Sequence, residues 1–131
     1  MARNILIVED DPSMQGLYRS MFGRYTKGEF TLHLLTTGEA VLPFLWEHSV
    51  DLLLLDWDLP QRSGLQVLRS INSNPAQWRF PILIVSAKLE EQLLDEACGE
   101  GASGYFVKPF AVDELLARVR ELLRLWDSSS E

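Results

Sequence analysis

The chain has 131 residues, 47% of them apolar and 24% charged, with a net charge of −7. These proportions exclude a disordered or fibrous chain and fit one domain burying roughly two-thirds of its unfolded surface in a single core. The negative balance argues against the phosphate contacts that carry most nucleic-acid affinity, so neither direct nucleic-acid binding nor, given its composition, membrane insertion is expected.

No unbroken apolar run is longer than Leu52–Leu55, far short of the ~20 residues of a membrane-spanning helix. The single cysteine, Cys98, rules out an internal disulfide, and no basic and then apolar leader precedes the first apolar run. A reducing cytoplasm is the expected compartment.

In chain order, the apolar run Ile5–Val8 predicts a first strand that stops at three acids, Glu9, Asp10 and Asp11. Met14, Leu17, Tyr18, Met21 and Phe22 then follow at helical spacing, with Asp11 as N-cap and Pro12 at the first helical position. Phe30–Leu35, with His33 inside it, predicts the second strand. Val41, Leu42, Leu45 and Trp46 predict the second helix, which Thr37-Gly38 opens and Pro43 shortens or bends. Leu52–Leu55 is the third strand, followed by a helix over Leu65, Leu68 and Ile71 that starts at Ser63-Gly64. Ile82–Val85 is the fourth, followed by Leu89, Leu93, Leu94 and Ala97, with Cys98 expected on the inward side. Tyr105–Val107 is the fifth, and Leu115, Val119, Leu122 and Trp126 mark the last helix.

The order is βα five times. Strands that are apolar throughout, without polar alternation, belong to a sheet covered on both faces, and strand–helix–strand connections make that sheet parallel. The fold class is therefore α/β, a doubly wound five-stranded parallel sheet of (βα)5 topology. Residues 127–131, "DSSSE", read as a polar tail after a domain of residues 1–126. The connection "NSNPAQWRF", residues 72–80, is longer than it needs to be, and its Trp78 has no evident place.

In such a sheet the ligand site lies outside the carboxyl ends of the strands, where strand order reverses. The first strand runs into Glu9 and Asp10, the third into Asp56 with Asp58 two residues on, the fourth into Ser86 and the fifth into Lys108. Close carboxylates repel by roughly 4 kcal/mol per pair at an effective dielectric near 20, so three together require a proton or a cation. A hard divalent ion with oxygen ligands answers this, and Mg²⁺ suits a site that also admits a phosphate oxygen. An aspartate beside such an ion serves as a nucleophile toward a phosphoryl group, with Lys108 and Ser86 available to the phosphoryl oxygens.

From Asn4 to about Trp126 the chain resembles the receiver domain of two-component response regulators, the CheY-like family. Five elements carry the likeness in order: "VEDD", "LLLLDWDLPQRSG", "SA" after the fourth strand, "GASGYFVKPF" and the final amphipathic helix. The resemblance implies a flavodoxin/CheY-like strand order 2-1-3-4-5. It implies Asp56 as phosphoacceptor and Mg²⁺ (or Mn²⁺) as cofactor. Asp10 and Asp56 would be metal ligands, Glu9 would act through metal-bound water and Asp58 through its backbone carbonyl. Ser86 and Lys108 would bind the phosphoryl group, the Lys108-Pro109 bond would be cis, and Tyr105 would turn inward with Ser86 as a switch. The Asp58 side chain and Lys88 occupy positions that modulate access, with an ion pair between them expected.

The implied function is phosphorelay signalling by a regulatory protein that is not an enzyme. The phosphoryl donor would be a histidine kinase or histidine phosphotransfer protein. Output would pass through the face of the fourth helix, fifth strand and fifth helix, to an output domain, a downstream protein or a second copy. The "GASG" before Tyr105 lacks the acidic pair of winged-helix transcription-factor receivers, which weakens that family's dimer mode here. The alternative is a pseudo-receiver, a protein-interaction module that works without phosphorylation. A Rossmann or P-loop enzyme would need glycine motifs that do not occur, and a flavodoxin-type phosphate loop would stand where this chain has carboxylates. His33 and His48 lack metal-spaced partners and are expected to be structural or exposed. Trp57, beside the acceptor, is the expected fluorescence reporter.

Overall fold

The computed structural model describes residues 2–24, 26–59, 63–74, 77–88 and 90–129. Leu89 of the fourth helical face, residues 60–62 and 75–76, and residues 130 and 131 of the expected tail lie outside the described residues. Five strands, β1 (Arg3–Val8), β2 (Phe30–Leu35), β3 (Leu52–Asp56), β4 (Ile82–Ser86) and β5 (Gly104–Val107), alternate with five helices. The helices are α1 (Pro12–Arg24), α2 (Val41–Glu47), α3 (Gly64–Asn72), α4 (Glu91–Gly99) and α5 (Val112–Ser129). The strands form one sheet in the order β2-β1-β3-β4-β5, and every neighbouring pair is parallel.

Each strand lies where an apolar run stands, because alternate residues face two separate cores. Ile5, Ile7, Leu52 and Leu54 pack beneath α1 and α5 with Tyr18, Phe22, Leu115 and Val119. Leu6, Val8, Leu53 and Leu55 pack on the other face against α2, α3 and α4 with Val41, Leu68 and Ala97. Burying each such side chain contributes roughly 1.5–3 kcal/mol, so slipping a strand by one residue would exchange two matched faces.

Helix starts follow local chemistry. Asp11 accepts from the Met14 N–H at 3.3 Å through Oδ2 and so caps α1 before Pro12. Ser63 and Gln66 form a reciprocal capping box at α3. Thr37 makes no side-chain cap: a 3-10 turn, Gly38–Ala40, intervenes before α2. Pro43 is tolerated because it lies in the first turn of the short α2, where its missing N–H has no intrahelical partner to lose.

Two inward expectations are corrected. Cys98 is exposed: Ala97 is the residue that α4 buries, and the next position lies about 100° around the helix. Trp46 is 61% exposed, since Val41 and Leu45 take the inward positions of α2. Its ring meets Trp78 edge to face at 4.8 Å, and Trp78 donates its indole N–H to the Leu45 carbonyl at 3.3 Å. The 72–80 connection thus carries Trp78 onto the end of α2.

His33 lies 3.4 Å from the Asn4 side-chain oxygen, and His48 stacks on Phe44 at 4.1 Å. α5 runs through Asp127, the start of the expected tail, to Ser129. Arg3 donates to both Asp127 oxygens, at 2.8 and 3.0 Å.

Candidate functional site

The chain leaves β1 toward β2 on one side and returns to β3 on the other, so strand order reverses between β1 and β3. The register pairs Val8 with Leu55, and the next residues, Glu9 and Asp56, therefore stand side by side. Backbone bonds carry the ladder past the strand ends: Glu9 N–H donates to Leu35, Trp57 N–H to Val85 and Lys108 N–H to Ser86, at 2.8 to 2.9 Å. These bonds hold three of the site's segments in fixed relation.

Glu9 is 1% exposed, Asp56 4% and Ser86 0%, while Asp10 is exposed. Carboxylate oxygens of Glu9, Asp10 and Asp56 all lie within 4.8 Å of one another. The donors are hard carboxylate oxygens close enough to turn toward one small divalent ion, so their chemistry suits Mg²⁺.

The Lys108 ammonium donates to Glu9 Oε1 at 2.7 Å and stands 3.6 Å from Asp56 Oδ2. Burial works to lower the Lys108 pKa, but the hydrogen bond to Glu9 and the charges of Asp56 and Glu9 outweigh it and hold the group above its usual range. Asp56 is pushed up to about 7, first by burial and then by its hydrogen-bonding contact with Glu9. The Asp58 N–H and the Lys108 charge act in the opposite sense. One ammonium against three carboxylates leaves a deficit that a divalent cation would make good.

Asp58 N–H donates to Asp56 Oδ1 at 3.0 Å. The expected Asp58–Lys88 ion pair is absent among the described residues: Lys88 is exposed, and the Asp58 carboxylate accepts from the Ser86 hydroxyl at 3.2 Å instead. Ser86 Oγ also accepts from the Lys88 N–H at 3.3 Å, and the Tyr105 hydroxyl donates to the Lys88 carbonyl. Lys108-Pro109 is cis.

Some supporting residues were not legible as such in the sequence. Gln15, one turn into α1, donates its side-chain N–H to the Glu9 carbonyl at 2.8 Å. Tyr18 is buried near the site, and burial, then the charges of Glu9 and Asp56, raise its phenol above the ordinary range. Its helical spacing marked it only as core. Gly64 lets α3 start against the acceptor: a Cβ there would stand 2.7 Å from Trp57 Cα and 2.9 Å from the Asp56 carbonyl oxygen. The short "DWDLPQRSG" return was the available sign of that contact.

A sequence model of the response regulator receiver domain matches residues 5–120. Among curated relatives, the phosphate regulon transcriptional regulatory protein PhoB of Rhizobium meliloti is 36% identical over 95% of this chain and 53% of its own length. The response regulator ArlR of Staphylococcus epidermidis is 38% identical over 92% of this chain and 52% of its own. The chain thus spans about half the length of these relatives.

Of solved structures, the signal receiver domain of a putative Luxo repressor protein from Vibrio parahaemolyticus superposes with a TM-score of 0.88, at 25% identity, covering 99% of this chain and 96% of that one. The BeF3-activated receiver domain of RstA from Klebsiella pneumoniae gives 0.81 at 27%, covering 93% and 99%. The parallel sheet in this strand order, the acidic strand ends at its reversal point and these relatives together place the chain in the response regulator receiver family of two-component signalling, a regulatory rather than catalytic family.

Proposed function

We propose that the chain is a cytoplasmic switch, its receiver unit comprising residues 1–126, that accepts a phosphoryl group onto Asp56 from a histidine kinase or histidine phosphotransfer protein. The observation that carries this reading is the buried Asp56 carboxylate lying among Glu9, Asp10 and Lys108. Glu9, Asp10, Asp56 and the Asp58 backbone carbonyl would hold Mg²⁺ or Mn²⁺. The bound ion would supply positive charge to the carboxylates and to the transferring phosphoryl oxygens.

Asp56 attacks phosphorus as its carboxylate, so that its bond to phosphorus forms as the donor's phosphorus–nitrogen bond breaks. Burial opposes ionisation of this carboxyl, and Lys108 favours it at 3.6 Å. Lys108 also stands ready to exchange its Glu9 partner for a phosphoryl oxygen. Ser86 donates its hydroxyl to another oxygen, and Tyr105 follows Ser86, which alters the α4-β5-α5 face read by an output domain, a downstream protein or a second copy. Hydrolysis of the acyl phosphate returns the resting state. The BeF3-activated state of the RstA neighbour supports this reading by analogy.

Incubation with Mg²⁺ and acetyl phosphate, followed by intact mass, should add one phosphoryl group to the wild type and none to Asp56→Asn. The adduct should be stable in acid and sensitive to hydroxylamine. Trp57 is half-buried beside the acceptor, so its fluorescence should change with Mg²⁺ and beryllofluoride, and Trp57→Phe should abolish that change. A wild type that forms no adduct and does not respond would leave the phosphorylation-independent interaction module as the reading.

A further inference from the structure

Building on the reading of Asp56 as phosphoacceptor, we infer that the Asp58 side chain is a latch that holds Ser86, and through it Tyr105, in the resting arrangement, competing with the phosphoryl group for the Ser86 proton. Asp58 touches both groups that the phosphoryl must engage. Its N–H donates to Asp56 Oδ1 at 3.0 Å, and its carboxylate accepts from Ser86 Oγ at 3.2 Å.

Ser86 is fully buried and has one hydroxyl proton to give. While that proton is directed at Asp58 it is not directed at a phosphoryl oxygen. The Lys88 N–H, 3.3 Å away, fixes the hydroxyl from its acceptor side. The Lys88 carbonyl receives the Tyr105 hydroxyl. Hydrogen bonds therefore run without a break from Asp58 through Ser86 and Lys88 to Tyr105.

Turning Ser86 toward Asp56 breaks the bond to Asp58 and takes the acceptor away from the Lys88 N–H, which frees the carbonyl end of the same residue to release Tyr105. A carboxylate is a charge-assisted acceptor and holds a hydroxyl more strongly than a neutral one does. Asp58 thus weights the equilibrium toward rest, and a ligand must overcome that weight by its preference for the active state.

The test separates the hydrogen bond from the charge. Asp58→Ala removes both, whereas Asp58→Asn removes the charge and keeps a side-chain oxygen acceptor. The protein is labelled with 3-fluorotyrosine, the Tyr105 resonance is assigned with Tyr105→Phe, and spectra are recorded with Mg²⁺ before and after beryllofluoride. In Asp58→Ala without beryllofluoride, the Tyr105 resonance should move toward its position in the beryllofluoride-bound wild type, with beryllofluoride affinity about tenfold tighter, equivalent to ~1.4 kcal/mol. Asp58→Asn, which keeps an acceptor but loses the charge assistance, should place Tyr105 between its wild-type and Asp58→Ala positions, and in a Ser86→Ala background Asp58→Ala should have no further effect on Tyr105.

Equal displacement of Tyr105 by Ala and Asn, or displacement by Ala that persists without the Ser86 hydroxyl, overturns the latch. A wild type that ignores beryllofluoride overturns the phosphoacceptor reading instead. In that case the ligand-free Tyr105 shift in Asp58→Ala, present with Ser86 and absent without it, still decides whether the hydrogen-bond chain operates.

Discussion

At Asp56 burial and ionisation pull in opposite directions, and the conflict has a measurable sign. The carboxyl is pushed up to about 7 in the folded chain, while its ordinary value is 3.8. Between those values the folded state binds the proton that the unfolded state has released, so stability falls as pH rises. Below the lower value both states are protonated and the penalty vanishes. In urea titrations without divalent cation, Asp56→Asn should therefore match the wild type near pH 3.5 and exceed it by about 1–3 kcal/mol above pH 7. A constant difference between the two across this range would show that ionisation of Asp56 is not what destabilises the resting site. Lys108 does not reverse the sign, because its shorter contact is to Glu9 at 2.7 Å.

The elements nearest the site are held by backbone fit as much as by side chains. α3 begins at Gly64, whose N–H donates to the Trp57 carbonyl at 3.1 Å. A methyl group there would meet backbone atoms at 2.7 and 2.9 Å, which cannot swing aside as a flexible side chain would. Gly64→Ala should cost about 1–3 kcal/mol and slow phosphorylation by moving the acceptor segment. Ser63→Ala removes the capping box. It should cost about 1 kcal/mol while leaving phosphorylation near the wild-type rate once the protein is folded. Thermal or urea unfolding together with acetyl phosphate kinetics separates the two outcomes, and equal kinetic defects would show that α3 does not position Asp56.

At the scale of the whole molecule, the sheet divides the interior into two cores and leaves the acidic site at the ends of its strands. A ligand that binds this site in the folded chain alone stabilises the entire domain by mass action, about 2.7 kcal/mol at a hundred times its dissociation constant. An ion held by these oxygens would compete with protons for them, so Mg²⁺ should raise Tm by several degrees at pH 8 and by much less at pH 5. Calorimetry at the two pH values checks this, and an equal shift at both would place the ion elsewhere. Asp56→Asn should shrink the shift at pH 8. Among the described residues no helix is long and apolar enough to cross a membrane.

Apolar runs, helical spacing and strand-end chemistry are local properties, and they suffice to read out five strands, five helices, a parallel sheet and strand ends that bring Glu9, Asp10, Asp56, Ser86 and Lys108 to one edge. A strand buried on both faces has no alternative but this patterning, whereas a single charged strand end can equally cap a helix, as Asp11 does, or pair on the surface, as Arg3 does. It was the convergence of several such ends that pointed to a ligand. Tertiary structure decided what depends on rotation about a helix axis or on contacts between distant segments. It turned Cys98 and Trp46 outward, since one residue of rotation separates them from the buried Ala97 and Leu45. It placed Trp78 on α2 across a connection whose spacing carries no period. It also directed the Asp58 carboxylate to Ser86 rather than Lys88, because the fully buried hydroxyl needs an acceptor while the exposed ammonium is satisfied by water.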